Sequence, residues 1–237
     1  MSRPFAVFDI DGTLIRWQLY HATADALVRL GYVDKKEYQA IKDARMAWKR
    51  RDSEDAFKAY EGQLVRLYEE ILLGLKPEQY DEAAQAVFDE YKDQVYRYTR
   101  DLIRELKAKD YMLFAISGSQ TEIVGKIARY YGFDDHIGTY YERHEGKFTG
   151  TRKLHAGSKH VILDELVKKH DVTYKASVAV GDSEGDISML QAVEVPIAFN
   201  PTKKLFEAAK THGWKVVVER KNMVYELEAE DGRYYLS

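Results

Sequence analysis

The sequence has no cysteine, only four prolines in 237 residues, and no marked excess of either charge. Without cysteine, the chain can build no disulfide framework, thiolate-ligated zinc site, iron–sulfur cluster or thiol nucleophile of its own. Its 36 Lys and Arg stand against 39 Asp and Glu, a formal net charge of −3. That balance lacks the basic excess of a nucleic-acid-binding protein. No apolar run approaches the roughly 18 to 20 residues of a membrane span. The short run at Phe5 meets Asp9 and Asp11 too soon to be the apolar part of a signal peptide. These absences predict a cytoplasmic protein with neither a membrane nor a nucleic-acid partner, and they leave the oligomeric state unassigned. What is present is 45% apolar and 13% aromatic residues, enough for a packed core rather than a disordered chain. Area scaling for this length buries about 70% of the unfolded surface, so the core needs no covalent staple.

Phe5-Ala6-Val7-Phe8 is an unbroken apolar run that stops at Asp9, with Gly12 just beyond. Continuous rather than alternating apolar character marks a strand buried on both faces. Residues 111–116, running into Ser117-Gly118-Ser119, and 176–180, running into Gly181-Asp182-Ser183, repeat the pattern; 195–199 and 215–218 are weaker versions. Helical periodicity lies between them at 121–131, 158–169, 186–193 and 203–212. Such alternation predicts an α/β fold, a Rossmann-like doubly wound parallel sheet. The first connection breaks the rule. About a hundred residues separate Phe8 from Tyr111, where a crossover needs about a dozen. Within them Ala24, Leu27, Val28 and Gly31 recur at helical spacing, as do Ala83, Ala84, Val87, Phe88 and Tyr91. Gly31, Gly74 and Pro77 punctuate the helices. The prediction is a helical cap domain over 16–99, inserted after the first strand into a core of 1–15 and 100–237. Two β-hairpins are predicted, 137–149 around Glu145-Gly146 and 223–236 around Asp231-Gly232.

Ligands of open α/β sheets bind beyond the carboxyl ends of the strands. Three predicted strands deliver Asp9-Ile10-Asp11-Gly12-Thr13, Ser117-Gly118-Ser119 and Gly181-Asp182-Ser183-Glu184-Gly185-Asp186 to that edge. Converging carboxylates repel one another unless a cation sits among them, and hard oxygen donors favour Mg²⁺. Asp9 and Asp11 are spaced so that one carboxylate can attack while the other handles the leaving-group proton. Ser117-Gly118-Ser119, read as the opening of a helix, offers N–H groups to an anion. Asp182 and Asp186 lie one helical turn apart, the first able to reach a metal and the second to brace it from outside. Taken singly, each of these residues also reads as a turn former, a helix cap or a solvated acid. Trp17, Tyr20 and Trp48 could line a pocket, although aromatic residues on such helices are more often core. Lys49-Arg50-Arg51 reads as a solvated helix end. No histidine pair has metal-ligand spacing.

Together these residues resemble the haloacid dehalogenase superfamily of phosphohydrolases. Asp9-Ile10-Asp11-Gly12-Thr13 is similar to its first motif, Ser117 to its second and the 181–186 segment to its fourth. The helical insertion after the first motif and the hairpin before the third resemble the phosphoserine-phosphatase-like subfamily, whose third motif is a helix-borne lysine. Lys159 occupies that place, with Lys147 and Lys153 as competitors. The resemblance implies a phosphatase for a small phosphorylated metabolite. Asp9 would be the nucleophile and form an aspartyl-phosphate, and Asp11 the acid and base. Mg²⁺ would be held by Asp9, the Asp11 carbonyl and Asp182, with Asp186 in the outer shell. Ser117, Gly118, Ser119 and Lys159 would bind the phosphate. A phosphotransferase using the same intermediate and a non-catalytic binding protein are the alternatives. Gln18 stands where phosphoserine phosphatases carry an acidic residue for the substrate's amino group, and Gly185 where they usually carry Asn. No basic match for the substrate carboxylate occurs near Glu61. Phosphoserine is therefore not the expected substrate.

Overall fold

The computed structural model describes residues 3–36, 38–53, 56–153, 159–230 and 233–236. In chain order they form β1 (Pro4–Phe8), α1 (Leu19–Arg29), α2 (Gln39–Arg50), α3 (Ala56–Gly74), α4 (Pro77–Tyr91), α5 (Arg97–Ala108), β2 (Met112–Gln120), α6 (Thr121–Tyr131), β3 (Asp135–His144), β4 (Lys147–Lys153), α7 (Lys159–His170), β5 (Thr173–Gly181), α8 (Ile187–Leu190), β6 (Val195–Phe199), α9 (Lys203–His212), β7 (Lys215–Arg220), β8 (Met223–Glu230) and β9 (Arg233–Leu236). The chain makes two compact units, one of 1–18, 90–139 and 154–237, the other of 19–89 and 140–153. The second unit thus takes in 140–153, which the sequence reading placed outside its 16–99 insertion. No helix among the described residues is long and apolar enough to cross a membrane.

In the first unit the strand order is β3-β2-β1-β5-β6-β7-β8-β9. All pairings from β3 to β7 are parallel, and β8 and β9 add antiparallel. The predicted doubly wound sheet is present. β1 is central, and Phe5, Ala6, Val7 and Phe8 have 0% exposure. Phe5 and Val7 join a core with Leu163 and Leu166 of α7, Leu190 of α8 and Leu205 of α9. Strand alternation sends Ala6 and Phe8 to the opposite face, where Phe8 meets the edge of Phe133 with ring centroids 5.8 Å apart. Each such buried side chain contributes about 1.5–3 kcal/mol, so β1 is fixed from both sides and its carboxyl end is a rigid platform.

The second unit holds α1 to α4 and the hairpin arm 140–153. Pro77 opens α4, where its fixed φ suits the first helical position and its missing N–H leaves no bond unmade. Arg45 on α2 makes a bidentate pair with Asp25 (2.7 and 3.0 Å) and donates to Tyr60 (2.9 Å) and Tyr38 (2.6 Å). Trp48 stacks on Tyr60, and His21 meets the same ring edge-on. Tyr20 bonds Tyr141 through the two hydroxyls at 3.1 Å and packs on Tyr68. Tyr20 and Trp48, singled out in the sequence, thus belong to aromatic packing within this unit. The hairpin turns at Glu145 and Gly146, both with positive φ (47° and 73°), the signature of a tight two-residue hairpin turn.

Two expectations require revision. β2 runs on to Gln120, so Ser117-Gly118-Ser119 lies in the strand and α6 opens only at Thr121. Thr139 Oγ1 ties the tripeptide to β3 by donating to the Gly118 carbonyl (2.6 Å), while Ser119 N–H turns in to Ser117 Oγ (3.0 Å) and the register with β3 shifts between Ile116 and Gln120. The helix predicted over 186–193 is a single 3₁₀ turn, Glu184–Asp186, followed by the four-residue α8. It is cut short because Glu194 N–H already donates to Ser177 Oγ and β6 begins at Val195. Residue 158, the predicted start of the next helix, and the turn at Asp231-Gly232 lie outside the described residues, as do the side chains of Glu61 and Lys153.

Candidate active site

β1 ends at Phe8, and Asp9 continues the sheet by donating its N–H to the Val180 carbonyl (2.9 Å). The chain then turns at Gly12, whose φ of +77° favours glycine and whose added Cβ would lie 2.2 Å from Asp182 Oδ2. That turn brings Thr13 back, so its hydroxyl donates to Asp9 Oδ2 (3.2 Å) and lies 3.4 Å from Asp182 Oδ1. Asp11 is turned elsewhere: its Oδ2 accepts from Ser117 Oγ at 2.6 Å. The two aspartates of the first segment therefore face different partners despite their spacing.

Lys159, the first residue of α7, reaches into this group. Its Nζ lies 2.6 Å from Asp9 Oδ1, 2.6 Å from Asp186 Oδ1 and 3.0 Å from the Ile116 carbonyl. Burial alone would depress the lysine's pKa, but Asp186 and Asp9 outweigh it and hold the ammonium charged. Lys147, one competing lysine, lies exposed on β4 in the second unit.

Asp186 has no exposed surface. Its second oxygen accepts from Asp182 N–H (3.1 Å), Ser183 N–H (2.9 Å) and Ser183 Oγ (3.0 Å). The Gly181 Cα faces the same carboxylate so closely that an added Cβ would sit 2.5 Å from Asp186 Cγ. Asp186 therefore spends both oxygens on Lys159 and on the loop that presents Asp182.

Oxygens of Asp9, Asp182 and Asp186 all lie within 4.8 Å of one another. Burial, only partly offset by Lys159, pushes Asp9 up to about 7. Burial and the neighbouring Asp9 and Asp186 push Asp182 up to about 9. Carboxylates this crowded and dry resist ionisation unless a cation joins them. The donors are all oxygen; Asp186 is committed to Lys159 and the loop at 182–183, while Asp9, though bonded to Lys159 and Thr13, and Asp182 keep lone pairs to offer a cation. This set fits a hard divalent cation.

Residues 6–191, from β1 through α8, match the haloacid dehalogenase-like hydrolases. The chain belongs to that family. The hydrolase is 25% identical over 226 residues to the histidinol-phosphatase of Neisseria meningitidis serogroup C (strain 8013), covering 90% of this chain and 97% of that one. In fold it is similar to a protein of unknown function from Bordetella pertussis Tohama I (TM-score 0.73, 23% identity, 91% and 98% of the two chains). It is also similar to a phosphoserine phosphatase solved as a phospho-aspartyl intermediate analogue (TM-score 0.63, 21% identity, 93% and 95%).

Sequence reading of this hydrolase missed the supports beneath the site. Glu219 on β7, only 8% exposed, accepts from the N–H groups of Arg97 (3.1 Å) and Tyr98 (2.9 Å) and so caps the start of α5. Thr99 on that helix donates to the Thr13 carbonyl (2.8 Å), while Tyr96 N–H donates to the Leu14 carbonyl (3.0 Å). Thr202 N–H bonds the Asp182 carbonyl (2.9 Å). Thr13 was visible in the sequence as part of the first segment. Glu219 had no local signal, because its partners lie more than a hundred residues away.

Proposed function

We propose that this hydrolase is a Mg²⁺-dependent phosphatase that cleaves a small phosphomonoester through an aspartyl-phosphate on Asp9. Family membership and the phosphatases among its relatives make it a phosphoric monoester hydrolase. The observation that carries the finer reading is the placement of Lys159 against Asp9 beside an Asp11 held by Ser117. Asp9 supplies a carboxylate oxygen to phosphorus as the bond to the leaving oxygen breaks. Asp11 delivers a proton to that oxygen. Asp11 then takes a proton from water as the water oxygen attacks phosphorus, which frees inorganic phosphate and restores the Asp9 carboxylate. With substrate bound, the Ser117 O–H would turn from Asp11 to a phosphoryl oxygen beside the Lys159 ammonium, where charge stabilisation carries most of the catalysis. Asp9, the Asp11 carbonyl and Asp182 would hold the cation, with Asp186 bracing the loop, and a bound Mg²⁺ would offset the phosphate charge. Gln18 argues against phosphoserine as the substrate.

The test is hydrolysis of p-nitrophenyl phosphate with and without Mg²⁺, by the wild type and by Asp9→Asn. The wild type should turn over only with the metal, and the variant should lose activity by at least a thousandfold. Undiminished turnover by Asp9→Asn would sink the nucleophile assignment.

A further inference from the structure

Gln120 closes β2 three residues beyond Ser117, at the strand edge where Asp9 and Asp182 also emerge. Its side chain has 0% exposure, and neither its Nε2 nor its Oε1 has a hydrogen-bond partner among the described residues. A buried carboxamide left wholly unpaired is costly, because both the donor and the acceptor lose water and gain nothing. A buried polar group in this state calls for an explanation, and a bound ligand is one that a strand-end position beside the candidate site makes available.

The backbone under Gln120 is held tightly. Gln120 is extended (φ −67°, ψ 142°) at the cap of α6, and it pairs with Thr139 on β3. Gly138, next to Thr139, passes so close that an added Cβ would lie 2.7 Å from Thr121 Cα and 2.8 Å from the Ser119 carbonyl oxygen. Only glycine allows β3 to approach residues 119–121 in this way, and the approach fixes the stem from which the carboxamide projects. Gly118, two residues before Gln120, is exposed, so solvent reaches the strand there, and the register with β3 shifts between Ile116 and Gln120.

We infer that Gln120 is a specificity-determining residue of this hydrolase, whose carboxamide is completed by a polar group on the leaving group of the substrate. The inference rests on the phosphatase reading above and names the class of substrate that reading leaves open. Both amide atoms are unpaired among the described residues, so the matching group must donate and accept at once. A hydroxyl, an amide or a neutral azole does this; a purely hydrocarbon leaving group does not. A site built to pair such a group rejects an analogue lacking it far more strongly than an apolar pocket rejects an extra methylene.

The experiment measures kcat/KM for glycerol 1-phosphate, O-phosphoserine and histidinol phosphate against phenyl phosphate, whose leaving group has no second polar group. Wild type and Gln120→Met, which keeps length and volume, are compared. The ratio between the best hydrogen-bonding ester and phenyl phosphate should fall at least tenfold in the variant. A ratio that changes by less than twofold overturns the inference. A raised Tm with an unchanged ratio also overturns it, since the unpaired amide then costs stability without serving the substrate. If Gln120→Met does not fold, Gln120→Leu carries the same comparison. Should the wild type hydrolyse none of the four esters with Mg²⁺, the phosphatase reading itself fails, which is distinct from an active enzyme with an unmoved ratio.

Discussion

The ammonium of Lys159 stands 2.6 Å from Asp186, a carboxylate with no exposed surface, and the two form the buried ion pair beneath the candidate site. Breaking such a pair from one side leaves an uncompensated buried charge, at a cost of about 3–5 kcal/mol. Lys159→Met should therefore lower Tm measurably and reduce kcat by roughly a hundredfold or more. Thermal unfolding and steady-state kinetics on one preparation check both. A variant that keeps full activity would remove Lys159 from the phosphate-binding role.

Metal binding should be visible without turnover. If Asp9 and Asp182 hold the cation, Mg²⁺ stabilises the folded state by mass action, about 2.7 kcal/mol at a hundred times Kd. Tm should rise with Mg²⁺, fall back on EDTA and stay flat in Asp182→Asn. An equal rise in that variant would place the metal elsewhere.

Gly12→Ala tests the turn that places Asp182. The φ of +77° and the 2.2 Å approach to Asp182 Oδ2 act together. Backbone strain alone costs about 1 kcal/mol, while displacement of the carboxylate should weaken Mg²⁺ binding more than tenfold. Calorimetric titration of the metal separates the two effects.

The helical unit carries its own pH sensitivity. His21 is 2% exposed, and burial, with nearby Arg45 adding to it, lowers its pKa from 6.5 to about 3. Below pH 6.5 the unfolded chain takes up a proton that the folded chain refuses until near pH 3. Stability is therefore present above pH 6.5 and lost as pH falls towards 3, by about 2 kcal/mol at pH 5. Urea denaturation at pH 7.5 and pH 5 should show this loss in the wild type and a smaller one in His21→Phe. Equal losses would show that His21 does not titrate in this way.

Much of the fold was legible because it depends on local pattern. α6, β6 and α9 have the bounds that periodicity assigns them, and the runs ending at Asp9 and Asp182 mark true strands. The convergence of Asp9, Asp182 and Asp186 was legible from the strand-end motifs, whereas Asp11, expected to converge with them, bonds Ser117 instead. Other features rest on pairings distant in sequence. Ser117-Gly118-Ser119 has the composition of a turn, and Ser119 N–H does turn in to Ser117 Oγ, yet Thr139 of β3 ties the segment into the sheet. Asp11 and Ser117 are joined by a bond across 106 positions that no spacing announces. The shortness of α8 follows from Glu194 and Ser177, which meet only once β5 and β6 are paired.

The central strand has a consequence for assembly. β1 pairs with β2 on one edge and β5 on the other, so its partners begin about a hundred and about a hundred and seventy residues later. Glu219, which anchors the helix beside the Asp9 loop, comes later still. Contacts so remote bring the loop-closure cost before the reward and slow the search for the native pairing. During synthesis the strand that carries Asp9 is thus made well before either of its neighbours, and the second of them is complete only with β5. Until residues near 180 are available, one edge of this apolar strand lacks its partner even after β2 has docked on the other.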